Sequence, residues 1–104
     1  MGDRKQLAID FAKSLNPPEI VKIILFGSVA HEEDIEESDI DILIITKNVD
    51  DDIKISGDVY SKVMDVLLEI GEYMSDKMRH FNHYKKYIDF SFFANVEKDG
   101  LIIA

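Results

Sequence analysis

Two aspartates, Asp39 and Asp41, stand two positions apart at the start of a predicted strand. Side chains two apart on a strand project from the same face, so both carboxylates can reach one cation. Such a pair suits Mg²⁺, which takes one or two carboxylates together with substrate phosphates. An Asp-x-Asp pair alone is equally typical of a solvated strand entrance. Metal chemistry is favoured here because the strand that follows is apolar, which places the carboxylates at the edge of a core.

A second candidate is the sequence Phe26-Gly27-Ser28, at the end of an earlier apolar strand. Glycine permits a positive φ angle or a close approach of another group to the backbone. A serine hydroxyl and backbone N–H groups at the start of a following helix are suited to binding phosphate. By itself Gly-Ser is also the sequence of an ordinary turn.

A basic and aromatic segment, Lys77 to Tyr87, is a third feature that could bind a ligand. It could receive a triphosphate, a base or an acidic partner, or it could be an exposed loop and helix end. His80 and His83 within it form a His-x-x-His pair. Zinc needs further ligands and the chain has no cysteine, so we do not expect a zinc site.

Apolar periodicity predicts the elements that position these residues. Leu7, Phe11 and Leu15 recur at helical spacing, and Asn16-Pro17-Pro18 ends that helix. The predicted elements are a helix over 4–15, a strand over 20–26, a short helix or turn over 28–33, a strand over 39–46, a turn over 48–52, a helix over 57–71, a weak strand over 72–78, a helix over 90–98 capped by Asp89 and ended by Gly100, and a short strand over 101–103. Strands that alternate with helices predict an α/β or α+β fold, a small mixed sheet flanked by helices.

The length of 104 residues predicts a single domain over residues 1–104. Without cysteine the chain has no disulfides and no thiolate metal sites. The first ten residues lack the apolar region of a secretory signal, and the longest apolar runs, 23–26 and 42–45, are too short to span a membrane. We therefore expect a soluble cytoplasmic protein.

The net charge of −9 is concentrated in one part of the chain. Residues 32–58 contain eleven acidic side chains and two basic ones, Lys47 and Lys54. An acidic surface repels phosphate backbones, which argues against direct nucleic-acid binding, but it attracts divalent cations. A charge run of this kind is also typical of a solvated face that keeps a protein soluble.

The chain carries Phe26-Gly27-Ser28, then nine further residues, then Ser38-Asp39-Ile40-Asp41 before an Ile/Leu strand. Taken together, these features resemble the signature of the DNA polymerase beta nucleotidyltransferase superfamily. Within it, the chain looks most like the minimal nucleotidyltransferases of prokaryotes, single domains of this length. Ala30 also stands where that family has an alanine.

The resemblance implies that Asp39 and Asp41 bind two catalytic Mg²⁺ ions, and that Gly27 and Ser28 hold the β- and γ-phosphates of a nucleoside triphosphate. Ser38 would support the turn before the strand. The expected reaction moves a nucleotide, AMP from the substrate ATP, to a hydroxyl acceptor and releases pyrophosphate.

The family also carries a third carboxylate on a later strand, which often serves as general base. Asp76 is the first candidate in this chain for that catalytic and metal-binding position, and Glu72 is the alternative. Asp76 could instead be a surface aspartate, and Asp89 fits a helix cap better than a base. His31 and Glu32 stand where the family has Arg-Gly, which lowers the expected attraction for phosphate.

Two functions follow from the resemblance. The first is an adenylyltransferase that acts as an antitoxin by modifying a tyrosine of a small helical HEPN-type toxin; a protein acceptor fits a domain with no room for acceptor-binding elements. The second is a module of the same fold with weakened catalysis, whose acidic face binds and neutralises a partner. A structural domain with no nucleotide site does not explain the joined motif.

Overall fold

The computed structural model describes residues 2–15, 17–30, 39–47 and 53–104. In chain order the elements are α1 (Gly2–Ser14), β1 (Ile20–Phe26), α2 (Gly27–Ala30), β2 (Ile40–Thr46), α3 (Ile53–Ile70), β3 (Met74–His80), α4 (Phe81–Lys86), α5 (Ser91–Asp99) and β4 (Leu101–Ile102). The four strands form one sheet in the order β3-β2-β1-β4. β1 pairs antiparallel with β2 and with β4, and β2 pairs parallel with β3 through the α3 crossover. The predicted small mixed sheet flanked by helices is confirmed.

The central strand β2 is buried on both faces, as its continuous apolar sequence predicts. Its even-numbered residues, Ile40, Ile42 and Ile44, pack with α1, α3 and Met74. Its odd-numbered residues, Leu43 and Ile45, pack with residues of α4 and α5, namely Tyr84, Phe93 and Val96. The two faces of the sheet are called here the α1/α3 face and the α4/α5 face.

Several element boundaries differ from the sequence predictions. Helix α3 begins four residues earlier than expected, because Ile55 continues the buried stripe of Val59 and Val63. Ile70, the last residue of the helix, is 58% exposed. Helix α4 was not predicted as a separate helix, since it is six residues long and has no side-chain cap.

The cap of the last long helix is a second correction. The residue that caps α5 is Phe90 and not Asp89, and no side chain bonds the free N–H groups there. Gly100 ends the helix as predicted, and its N–H donates to the Val96 carbonyl. The turn predicted over residues 48–52 lies outside the described residues. Among the helices that the structure describes, none is long and apolar enough to cross a membrane.

Candidate functional site

Gly27 and Asp41 meet where the end of β1 lies beside the start of β2. The antiparallel register pairs Phe26 with Asp41, so the residue after Phe26 passes the Asp41 side chain. Gly27 has a φ of 75°, which L-residues rarely adopt. A Cβ built on Gly27 would lie 2.5 Å from the Asp41 Oδ2 atom. Both the backbone conformation and the space therefore require glycine, and the two halves of the sequence motif come together at this point.

Asp39 and Asp41 are close enough for their charges to interact. Asp39 is exposed just before β2, and Asp41 is partly buried as the second residue of that strand. Burial raises the pKa of the Asp41 carboxyl, the neighbouring Asp39 charge raises it further, and the Lys77 ammonium lowers it. Ionisation of Asp41 is therefore unfavourable in the folded protein. A cation beside the two carboxylates would stabilise the ionised form and offset this free-energy cost.

This raised pKa predicts how stability depends on pH. Between the ordinary value of 3.8 and the higher folded value, the folded state binds more protons than the unfolded state, so stability falls as pH rises through that window. Without divalent cations, Asp41→Asn should therefore melt at a higher temperature than the wild type at pH 7. The difference should shrink as the pH is lowered toward 3.8. Thermal denaturation of both proteins over this pH range tests the prediction. Asp65→Asn, at an exposed position of α3, is the control. A lower melting temperature for Asp41→Asn than for the wild type at pH 7 would contradict the prediction.

The chemistry of the donor set fits Mg²⁺. Asp39 directly precedes β2 and Asp41 is its second residue, beside a glycine whose missing Cβ leaves room for the Asp41 carboxylate. Over the part of the chain that the structure describes, no group of three His, Cys, Asp or Glu side chains is placed to hold a metal. Mg²⁺ is often bound by one or two carboxylates, with the substrate phosphates and water supplying the other ligands. Asp39 and Asp41 are the residues that would hold it.

The structure does not bring Asp76 to this pair. The parallel register places Asp76 opposite Ile42, and Met74, two residues before it, packs in the core of the α1/α3 face. Since side chains two apart on a strand share a face, Asp76 lies on the α1/α3 side and Asp41 on the α4/α5 side. Asp76 is exposed there. The prediction that Asp76 is the third metal ligand is not supported by this register.

Glu72, the alternative candidate, is engaged elsewhere. Its Oε2 atom accepts from the Arg4 side chain on α1, at 2.9 Å from Nε and 2.8 Å from Nη2. This ion pair, in which one carboxylate oxygen accepts from two guanidinium nitrogens, ties the segment just before β3 to the first helix, on the α1/α3 face. Glu72 therefore has a structural contact that accounts for its charge.

Ser75, Lys77 and Arg79 are the β3 residues that share the face of Asp41, and Ser75 and Lys77 are nearest to it in the register. Ser75 pairs with Asp41 and Lys77 with Leu43, and the Lys77 charge acts on the Asp41 carboxyl. This role of Lys77 was not predicted, although the sequence of β3 contains a pattern that indicates it. Met74 and Met78 are the apolar members of the strand, and their positions assign the odd-numbered residues to the opposite face.

Part of the predicted site lies outside the described residues. This holds for Ser38, for His31 and Glu32, and for the side chain of Ser28, whose backbone belongs to α2. The roles predicted for Ser28 and Ser38 stay predictions.

The basic and aromatic segment divides between the end of β3 and α4. Tyr84 is buried among the residues of the α4/α5 face, and the Lys22 ammonium lies 5.5 Å from its ring centroid. His83 packs against Tyr87 and Phe93, with ring centroids 4.8 and 5.7 Å apart. Much of this segment therefore serves packing, and Lys77 at its start is the member that the geometry links to the aspartates.

Comparison with known proteins identifies the family. The family model described as polymerase beta, nucleotidyltransferase matches residues 8–103. The chain belongs to this nucleotidyltransferase family. Over 95 residues it is 38% identical to a protein of Methanocaldococcus jannaschii named as a protein adenylyltransferase, covering 91% of this chain and 89% of the relative.

Solved structures share the nucleotidyltransferase fold. A protein of Sulfolobus solfataricus described as a nucleotidyltransferase superposes with a TM-score of 0.56 at 18% identity, covering 96% of this chain and 78% of the other. A toxin–antitoxin structure with AMP-PNP gives 0.58 at 15% identity, with 98% and 73% covered. A mutant of the toxin–antitoxin pair MntA–HpeT gives 0.54 at 14% identity, with 97% and 71% covered. At these identities the likeness supports the fold of this nucleotidyltransferase.

Proposed function

We propose that this nucleotidyltransferase is an enzyme that transfers AMP from ATP to a hydroxyl group in a Mg²⁺-dependent reaction. The acceptor is a tyrosine of a small helical HEPN-type toxin, and the modification makes the protein an antitoxin. The observation that carries the proposal is the contact of Gly27 with Asp41, beside Asp39. It sets a carboxylate for a cation directly against the Gly27 backbone at the start of α2, the segment proposed to bind the phosphates.

In this reaction the acceptor oxygen forms a bond to the α-phosphorus while the bond from the α-phosphorus to the bridging oxygen breaks. Pyrophosphate leaves, and the acceptor proton passes to solvent or to a base of the acceptor protein. Mg²⁺, when bound, neutralises the triphosphate charge. Asp39 and Asp41 would hold the cation, the Gly27 backbone would meet the β- and γ-phosphates, and Ser28 would donate to them. Lys77 adds positive charge on the same face.

Names of similar proteins support the finer parts of this proposal. The Methanocaldococcus relative is named as a protein adenylyltransferase, which favours AMP as the transferred group and a protein as the acceptor. Two structural neighbours are toxin–antitoxin pairs, one of them with an ATP analogue. The acidic excess of the chain would complement a basic partner.

A thermal-shift titration with each nucleoside triphosphate, in Mg²⁺ and in EDTA, tests the first step. At about 100 times its dissociation constant, a ligand that binds only the folded state stabilises it by about 2.7 kcal/mol, which for this size is several degrees. We expect that shift with ATP in Mg²⁺ and its loss in EDTA. Transfer of label from α-labelled ATP to the toxin partner tests the second step. No shift with any triphosphate, with and without the partner, would overturn the proposal.

A second candidate function is a module that neutralises its partner by binding without transfer. The observation in its favour is that, in the described part of the chain, Ser75 and Lys77 occupy the β3 positions facing Asp41, where a third carboxylate would be expected. This module would still protect cells against the toxin after both aspartates are replaced, whereas the enzyme would not. A protection assay with the double variant discussed below therefore separates the two functions.

A further inference from the structure

A cleft of about 450 Å³ opens beside Gly27 on the α4/α5 face. It is lined by Phe26, Gly27, Phe92, Asn95, Val96 and Asp99. This volume is within the roughly 300–1,000 Å³ range of small-molecule sites in proteins. Gly27 lies between the cleft and the Asp41 carboxylate. Its Cβ position is 2.5 Å from the Asp41 Oδ2 atom. A ligand with phosphates at Gly27 would therefore extend its other end into this cleft.

Three exposed side chains of α5 face the cleft at helical spacing. Phe92, Asn95 and Asp99 lie three and four residues apart, which puts them on one side of the helix. The neighbouring residues Phe93 and Val96 are buried in the core of the α4/α5 face, with Val96 also at the edge of the cleft, and they hold the helix in place. The cleft wall is thus a row of one aromatic ring, one amide and one carboxylate on a rigid element.

Phe92 has the geometry of a stacking platform. Its ring lies edge-on to Phe26 and to Phe93, with centroids 5.6 and 5.2 Å apart. These contacts hold the ring while 39% of the residue stays exposed. Aromatic rings presented in this way bind the flat face of a nucleobase.

Asn95 and Asp99 add polar recognition beside the ring. An asparagine amide offers one donor and one acceptor, which match the N7 acceptor and N6 donor of adenine. The Asp99 carboxylate can accept hydrogen bonds from ribose hydroxyls, and its negative charge repels phosphate groups. This arrangement orients a nucleotide with its base and sugar on α5 and its phosphates toward Gly27.

We infer that the cleft between Gly27 and α5 binds the adenosine part of the nucleotide, with the base stacked on Phe92 and its edge bonded to Asn95. The inference rests on the proposed function, because the phosphates are assigned to Gly27 and the aspartates. It goes beyond that function by naming the residues that select the base.

Binding of ATP and of inorganic tripolyphosphate, both with Mg²⁺, tests the cleft by calorimetry. Phe92→Ala should weaken ATP binding about tenfold, the change expected for loss of one base–aromatic contact, and leave tripolyphosphate binding unchanged. Phe92→Leu keeps apolar volume in case the alanine variant does not fold. The matched control is Phe81→Ala, since Phe81 is 38% exposed at the start of α4 and does not line the cleft. Asn95→Ala should reduce the preference for ATP over GTP about tenfold.

The possible outcomes separate this inference from the proposed function. Unchanged ATP binding in both Phe92 variants, or equal weakening of ATP and tripolyphosphate, would overturn the adenosine cleft while the phosphate site stands. GTP binding as tight as ATP binding in the wild type would overturn the role of Asn95. A wild type that binds neither ATP nor tripolyphosphate would overturn both the cleft and the proposed function.

Discussion

Replacing Asp39 and Asp41 together by asparagine is expected to lower AMP transfer by a factor of about 10³ or more. Coordination of a divalent cation is worth several kcal/mol to a phosphoryl-transfer transition state, and each 1.36 kcal/mol is about tenfold in rate. Asparagine keeps the size of each side chain and removes the charge that is proposed to hold the cation. The measurement is the initial rate of label transfer from α-labelled ATP to the partner.

Stability measurements distinguish lost chemistry from lost structure. Because ionised Asp41 is unfavourable in the folded state, the double variant should melt no lower than the wild type in EDTA. Asp76→Asn is the matched strand control, as Asp76 is exposed on the opposite face of the sheet. We expect its rate to stay within about twofold of the wild type, as for most surface substitutions. A loss comparable with that of the double variant would instead place Asp76 in the catalytic machinery.

Gly27→Ala is expected to impair both stability and transfer. The added Cβ would lie 2.5 Å from the Asp41 Oδ2 atom, and alanine is disfavoured at a φ of 75°. The backbone conformation alone costs about 1–2 kcal/mol. The displaced carboxylate should lower the transfer rate about 10²-fold, the effect of misplacing a catalytic group by about 1 Å.

Gly71→Ala separates the two causes. Gly71 follows α3 with a φ of 83°, but among the described residues other than its chain neighbours no atom lies within 4 Å of its Cβ position. It therefore carries the same backbone strain without the clash at the site. Gly71→Ala should lose about 1–2 kcal/mol of unfolding free energy and Gly27→Ala at least as much, while Gly27→Ala alone should lose transfer activity. Equal transfer rates in the two variants would contradict a role for close approach at Gly27.

The strands and long helices could be predicted because their sequences repeat at the period of each element. The β1 and β2 sequences are mostly apolar, with the uninterrupted runs 23–26 and 42–45, which indicate strands buried on both faces. The spacing of Val59 and Val63 indicates the buried side of α3. Helix α4 could not be predicted in this way, because it is short and is held by packing of Tyr84 against residues distant in sequence.

The family could be inferred from the sequence alone, because the joined motif is local. The pair Asp39 and Asp41 could also be predicted, because residues two apart on a strand share a face whatever their neighbours are. Tertiary structure decided which other residues join that face. A strand shifted by one residue exchanges its faces, so only the pairing of β3 with β2 shows that Ser75 and Lys77, and not Asp76, share the side of Asp41. The adenosine cleft likewise depends on the packing of α5 beside Gly27, two segments about seventy residues apart that no local pattern connects.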